Sequence, residues 1–176
     1  MKNQLHLFTQ GFTLTELLTV IVIIGILGGI GLGSYRKGID RARFAEGLSN
    51  AHAIAAAVDE YYYNNNSRPP QYLSNRVGIP LKNATVSGNR VTTDNFVYDY
   101  KPYYDASDLS LNASDRRVIA TSQNANTQYN IVVYTRMAED AYGAPRPDQC
   151  NKAADFCKSM GYKNCTGSGT GSVCTK

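Results

Sequence analysis

No proline interrupts the chain between Phe12 and Arg68, and inside that stretch the segment from Leu17 to Tyr35 carries no charged residue. About 20 apolar residues are enough to cross a bilayer as a helix. Beyond Tyr35 the apolar positions continue at helical spacing through Ile39, Ala42, Leu48, Ala51, Ala55, Val58 and Tyr62. The simplest reading is one helix from about Phe12 to Tyr63, on the order of 75–80 Å long at 1.5 Å per residue. Its first half is apolar all round. Its second half is amphipathic, with one stripe available to cover a sheet.

At the entrance to the apolar run the chain reads Gly11-Phe12-Thr13-Leu14-Thr15-Glu16. A carboxylate in lipid costs roughly 2.5–3.5 kcal/mol at a helix centre and less near the interface, so an acid in this place calls for a partner. A secretory signal peptide would want a more positive start than Lys2 supplies and a shorter apolar core, although Gly33-Ser34 could mimic its cleavage site. A plain single-pass anchor fits the length but leaves the six residues unexplained.

Those six residues and the run behind them resemble the cleavage and assembly signal of type IV pilins and the related pseudopilins. The resemblance implies that a prepilin peptidase cuts between Gly11 and Phe12, that the new Phe12 amine is N-methylated, and that Glu16 directs filament assembly. It implies a leader over 1–11, a transmembrane and filament-core helix over 12–35, an amphipathic continuation over 36–63 and a globular head over 64–176. The chain would wait in the bacterial inner membrane and then join an extracellular filament of identical subunits, with the peptidase and the membrane assembly machinery as partners. Arg36, Lys37, Arg41 and Arg43 follow the apolar run, whereas only Lys2 and the amino terminus precede it. Charge counting alone would place that later cluster in the cytoplasm. The resemblance places it outside.

Cleavage after Gly11 creates a cation, and in an apolar filament core both it and Glu16 need partners. The amine of an incoming chain can meet Glu16 of its neighbour and set the axial step. Such a buried pair adds little net stability, but stranding either charge costs several kcal/mol, on the order of 3–5, which makes Glu16 a register device. Gly25, Gly28, Gly29, Gly31 and Gly33 punctuate the apolar half. Gly25, Gly29 and Gly33 recur every four residues, a ridge of small residues that lets helices approach closely. Each glycine also weakens the helix by about 1 kcal/mol relative to alanine, so residues 25–34 are equally a candidate for local unwinding in the filament.

Beyond Asn64, polar residues and Pro69-Pro70 end the helix and the pattern turns to strand. Thr85–Val91 holds Ser87-Gly88-Asn89, a hairpin turn. Asn95–Tyr100 alternates, with Phe96, Tyr98 and Tyr100 on one face. Arg117–Ser122 and Gln128–Arg136 form a second hairpin candidate across residues 123–127. Three or four antiparallel strands on the amphipathic helix half give an α+β fold, with the hydrophobic helix half protruding. Asp148–Met160 reads as a short helix stopped by Gly161.

The four cysteines are Cys150, Cys157, Cys165 and Cys174, with no Cys-x-x-Cys and no neighbouring His. That argues against zinc and, behind a membrane-targeting segment, for two disulfides stapling residues 148–176. Seven residues apart on one helix, Cys150 and Cys157 would stand near 10 Å at 1.5 Å per residue, too far to bond. Each is therefore expected to pair with Cys165 or Cys174.

No hydrolase, phosphate-loop or metalloprotease motif occurs, and neither His6 nor His52 has triad partners, so the chain is expected to be no enzyme and to need no metal or cofactor. Asp105, Asp108 and Asp115 match no calcium loop. The formal charge of +4 falls to +3 with loss of Lys2, short of a nucleic-acid signature. Arg116, Arg117, Arg136 and Arg146 are the candidate basic patch if the head grips DNA. The reading is a pilus subunit, with a DNA- or surface-binding tip pilin and a type II secretion pseudopilin as alternatives.

Overall fold

A computed structural model describes residues 11–66, 69–74, 77–102, 116–124, 128–136, 146–167 and 171–176. Two units make up the chain, Met1–Asp40 and Arg41–Lys176. One helix, α1 (Leu14–Asn64), contributes to both. Its bounds match the expectation from the proline-free stretch to within two residues at the start and one at the end.

In the first unit α1 is long and apolar enough to cross a membrane by length and composition. Leu14, Leu17, Ile24, Ile30 and Leu32 are all exposed. Residues 25–34 are helical throughout.

In the second unit α1 packs on an antiparallel sheet, giving the expected α+β class. The helix buries Phe44, Gly47, Ala51, Ile54, Ala55, Val58 and Asp59, the three- and four-residue spacing of a single stripe. Asn66 takes a left-handed backbone, φ 51°, just past its end, while the Asn65 amide donates to Tyr61 O at 2.8 Å. Asparagine tolerates that conformation better than most residues, so the polar run stops the helix by a specific cap.

The strands are β1 (Thr85–Ser87), β2 (Arg90–Thr92), β3 (Phe96–Lys101), β4 (Arg117–Ser122), β5 (Asn130–Tyr134), β6 (Gln149–Asn151), β7 (Asn164–Thr166) and β8 (Val173–Thr175). Among the described residues they form one sheet in the order β1-β2-β3-β4-β5-β6-β8-β7, every pair antiparallel. The β1–β2 hairpin turns at Gly88, whose φ of 58° suits glycine. Phe96, Tyr98 and Tyr100 face α1, as their alternation predicts, in register with Ser122, Ala120 and Val118. Tyr134 pairs with Arg117 and Asn130 with Thr121; residues 125–127 of the expected hairpin lie outside the described residues.

Two expectations need correction. The sheet is broader than three or four strands, because the cysteine region supplies β6, β7 and β8. The helix expected over Asp148–Met160 begins only at Ala154, as α2 (Ala154–Ser159). Gln149–Asn151 is instead inserted between β5 and β8, where Cys150 faces Ile131 on one side and Cys174 on the other. Two ladders of backbone hydrogen bonds outweigh local helix preference in so short a segment. Gly161, at φ 95°, follows α2 as expected.

The disulfides follow from that change. Cys150 sits on a strand and Cys157 on α2, which brings their Cα atoms to 5.8 Å, and they bond to each other. Cys165 and Cys174 face each other across β7 and β8 and form the second bridge. The expected pairing of Cys150 and Cys157 with the later cysteines is therefore wrong. The helical spacing on which it rested does not exist there.

Aromatic rings join these layers. The Phe44 ring lies 5.5 Å from Tyr129, 6.1 Å from Phe156 and 5.9 Å from Tyr162. Rings at such distances contribute roughly 0.5–1.5 kcal/mol per pair beyond the area they bury. The α2 segment is thus fastened to α1 through the Phe44–Phe156 ring contact and to β6 through the Cys150–Cys157 disulfide.

Candidate functional site: the N-terminal assembly segment

Gly11, Phe12 and Thr13 precede the helix in non-helical backbone, and the Phe12 ring is 80% exposed. Thr13 O accepts the Leu17 N–H at 3.2 Å, which makes Thr13 the N-cap of α1. Its N–H and its Oγ1 both donate to Glu16 Oε2 at 2.8 Å, and the Glu16 N–H points back at Thr13 Oγ1 at 3.3 Å. This is a capping box, a threonine and a glutamate three residues on that satisfy each other's helix-end donors. The Glu16 carboxylate is therefore not naked in the isolated chain. Sequence reasoning singled out Gly11, Phe12 and Glu16 but passed over Thr13, although Thr-x-x-Glu before an apolar run is the signature of this cap.

One turn further, the Thr19 hydroxyl donates to Thr15 O at 3.0 Å and to Glu16 O at 2.9 Å. From Leu17 onward the surface is aliphatic. A Cβ added at Gly25, Gly28, Gly29, Gly31 or Gly33 would meet nothing within 4 Å, so no contact within the described chain requires glycine there.

His52 Nε2 lies 2.8 Å from Asp148 Oδ2 on a half-exposed face of α1, a link between the helix and the residue that precedes β6. Arg116 stacks over Tyr62 at 4.9 Å, while Arg117 pairs in register with Tyr134, over whose ring Arg146 sits at 5.6 Å. Arg136 offers its backbone N–H to Asp59. His6, Asp105, Asp108 and Asp115 lie outside the described residues, and among the described residues no His, Cys, Asp or Glu group could hold a metal ion.

The chain is 37% identical to the type IV major pilin protein PilE1 of Neisseria gonorrhoeae over 71 residues, 40% of this chain and 43% of that protein. It is 31% identical to the type IV major fimbrial protein FimA of Dichelobacter nodosus over 86 residues, 49% of this chain and 53% of the relative. To the fimbrial protein EcpC of Eikenella corrodens it is 44% identical over 52 residues, 30% of this chain and 34% of the relative. These matches support assigning the chain to the type IV pilins. The chain spans about two fifths of the length of the first of these curated relatives. No family model matches, and no solved structure does.

Proposed function

We propose that this chain is a structural subunit of an extracellular type IV pilus-like filament, processed after Gly11 and assembled through the first half of α1. The observation that carries the reading is an apolar helix exposed from Leu17 to Leu32 with one carboxylate, Glu16, at its entrance. That surface has no use in water and suits first a bilayer and then a bundle of like helices. The relatives' description as major pilins favours the shaft of a filament over its tip.

In processing, water adds to the Gly11 carbonyl carbon, the Gly11–Phe12 C–N bond breaks, and a proton passes to the Phe12 nitrogen. The products are a Gly11 carboxylate and a Phe12 ammonium; after losing a proton, the Phe12 amine takes a methyl group from a sulfonium methyl donor, which leaves as the thioether and gives an N-methylammonium. On assembly that ammonium meets Glu16 of the neighbouring subunit. Glu16 then exchanges its bonds to Thr13 for an ion pair, so the carboxylate has a partner before and after the transfer.

N-terminal sequencing and mass spectrometry of the mature protein test the reading. A chain beginning at N-methylated Phe12 and recovered in sheared surface filaments is the expected result. A mature chain that retains residues 1–11 would overturn it.

A further inference from the structure

The capping box stands immediately beside the bond that processing must break. An α-helix starting two residues earlier would recruit the Gly11 carbonyl as acceptor for the Thr15 N–H, the ordinary four-residue bond. That carbonyl is the one water must attack. In the structure the helix stops short. Thr13 is the N-cap, its carbonyl takes the first intrahelical bond from Leu17, and Gly11 and Phe12 stay outside. Three hydrogen bonds between Thr13 and Glu16, at 2.8, 2.8 and 3.3 Å, hold that boundary in place.

We propose that Thr13 is a positioning residue for leader removal, whose reciprocal cap with Glu16 keeps the Gly11 carbonyl out of α1 and open to attack. This rests on the reading that the chain is cut between Gly11 and Phe12. The side-chain oxygen is the essential element, because it accepts the Glu16 N–H and anchors the carboxylate that receives the Thr13 N–H. Valine at this position keeps the β-branched shape and loses the oxygen. Serine and asparagine change the shape and keep a capping oxygen.

The effect has a kinetic signature. If the cap acts by setting how much of the substrate is competent, its loss lowers that fraction and raises the apparent KM while kcat stays unchanged. The size follows from the usual strength of an N-cap, roughly a fivefold change in the boundary equilibrium.

The test is leader removal from the full chain in membrane vesicles by the prepilin peptidase, comparing wild type with Thr13→Val, Thr13→Ser and Thr13→Asn. We expect T13V to raise KM by up to roughly fivefold, with T13S and T13N close to wild type. In T13V the Thr15 amide gains protection from hydrogen exchange as the helix extends backward. Cleavage of T13V at the wild-type rate would overturn the proposal, and so would T13S and T13N as slow as T13V, which would assign the effect to side-chain shape. A wild-type product that does not begin at Phe12 would instead remove the processing reading itself, and this inference with it.

Discussion

Asp59 Oδ2 accepts the backbone N–H of Arg136 at 3.1 Å, tying the last turns of α1 to the second residue past β5. Asp59 is buried, and its other oxygen, Oδ1, has no hydrogen-bond partner among the described residues. Thr135 Oγ1 and Arg116 Nε are also buried without partners, and all three residues line one small void with Val58, Tyr62 and Pro69. Desolvation raises the Asp59 pKa above the ordinary aspartate value, outweighing the Arg136 amide and the Arg136 and Arg116 charges, which lower it. The helix is thus fastened to the sheet by a carboxylate whose surroundings favour the proton.

A pH dependence follows. Because the folded pKa is raised, the folded state holds the proton more tightly than the unfolded one. The stabilising contribution is fully present below the unfolded value, about 3.9, and is lost as pH rises through the folded value. Asp59→Asn imitates the protonated form, keeps an oxygen for the Arg136 N–H and carries no charge. Thermal melting of the full chain in detergent should show D59N gaining on wild type as pH rises from about 3.9 towards neutrality. A constant difference across that range would contradict the raised pKa.

Gly47 faces Phe96. A Cβ at that position would lie 2.5 Å from Phe96 Cζ and 2.6 Å from Cε1, and the ring is almost wholly buried and cannot swing away. Overpacking of this kind costs about 1–3 kcal/mol. Alanine's better helix propensity returns about 1 kcal/mol, so Gly47→Ala should lower the melting temperature. Gly38, also on α1 but with open space around its Cβ position, is the control: Gly38→Ala should not lower it.

The two disulfides divide the tryptic map cleanly. Residues 164–176 contain both Cys165 and Cys174 and no internal cleavage site, whereas Cys150 and Cys157 fall on opposite sides of Lys152. Digested without reduction, the protein should release 164–176 as a separate, internally oxidised peptide, with the Cys150 and Cys157 peptides joined to each other. A single species linking all three peptides would restore the pairing first expected from the sequence.

How much of this was legible depends on the range of the interaction. The long helix was, because a proline-free run with helical spacing is a local signal. So were the turn at Gly88 and the inward face of Phe96, Tyr98 and Tyr100, where alternation spans several residues. Strands β6, β7 and β8 have three residues each, too few to show a period, and their pairing partners are distant in sequence. Cys150 was read as helical because the residues after it favour helix, and only the ladder with β5 and β8 says otherwise. Asp59 carried no sequence signal of its own. Its burial depends on residues 57 and 77 positions further on. At the N-terminus the motif identified Gly11, Phe12 and Glu16; Thr13 was legible too, as Thr-x-x-Glu before an apolar run, and the geometry supplied the reciprocal bonds.

Glu16→Ala separates insertion from assembly. The variant keeps Leu17 to Tyr35 for the membrane, so it should insert; it keeps the Glu16 backbone N–H for Thr13 Oγ1 but loses the two bonds to the carboxylate, so it should still be cleaved, with a raised KM. What it loses is the acceptor for the neighbour's Phe12 amine. Fractionation should then find mature subunit in the membrane and little in the sheared filament fraction. Normal filament yield from that variant would refute the register role.

Residues 25–34 are helical in the single chain and carry Gly25, Gly28, Gly29, Gly31 and Gly33 with open space around every Cβ position. Two explanations make opposite predictions for alanine. If Gly25, Gly29 and Gly33 are there for close helix contact, replacing them adds methyl groups at an interface and should disrupt assembly. If the segment unwinds in the filament, alanine adds about 1 kcal/mol of helix preference per position. Filaments should then form, but with continuous helix through 25–34 and less extension under load. A reconstruction of the wild-type filament decides which applies: a gap in helical density over these residues supports unwinding, and unbroken helix excludes it. Unwinding is the stronger expectation for Gly28 and Gly31, which lie off the four-residue ridge and so have no packing role in that scheme.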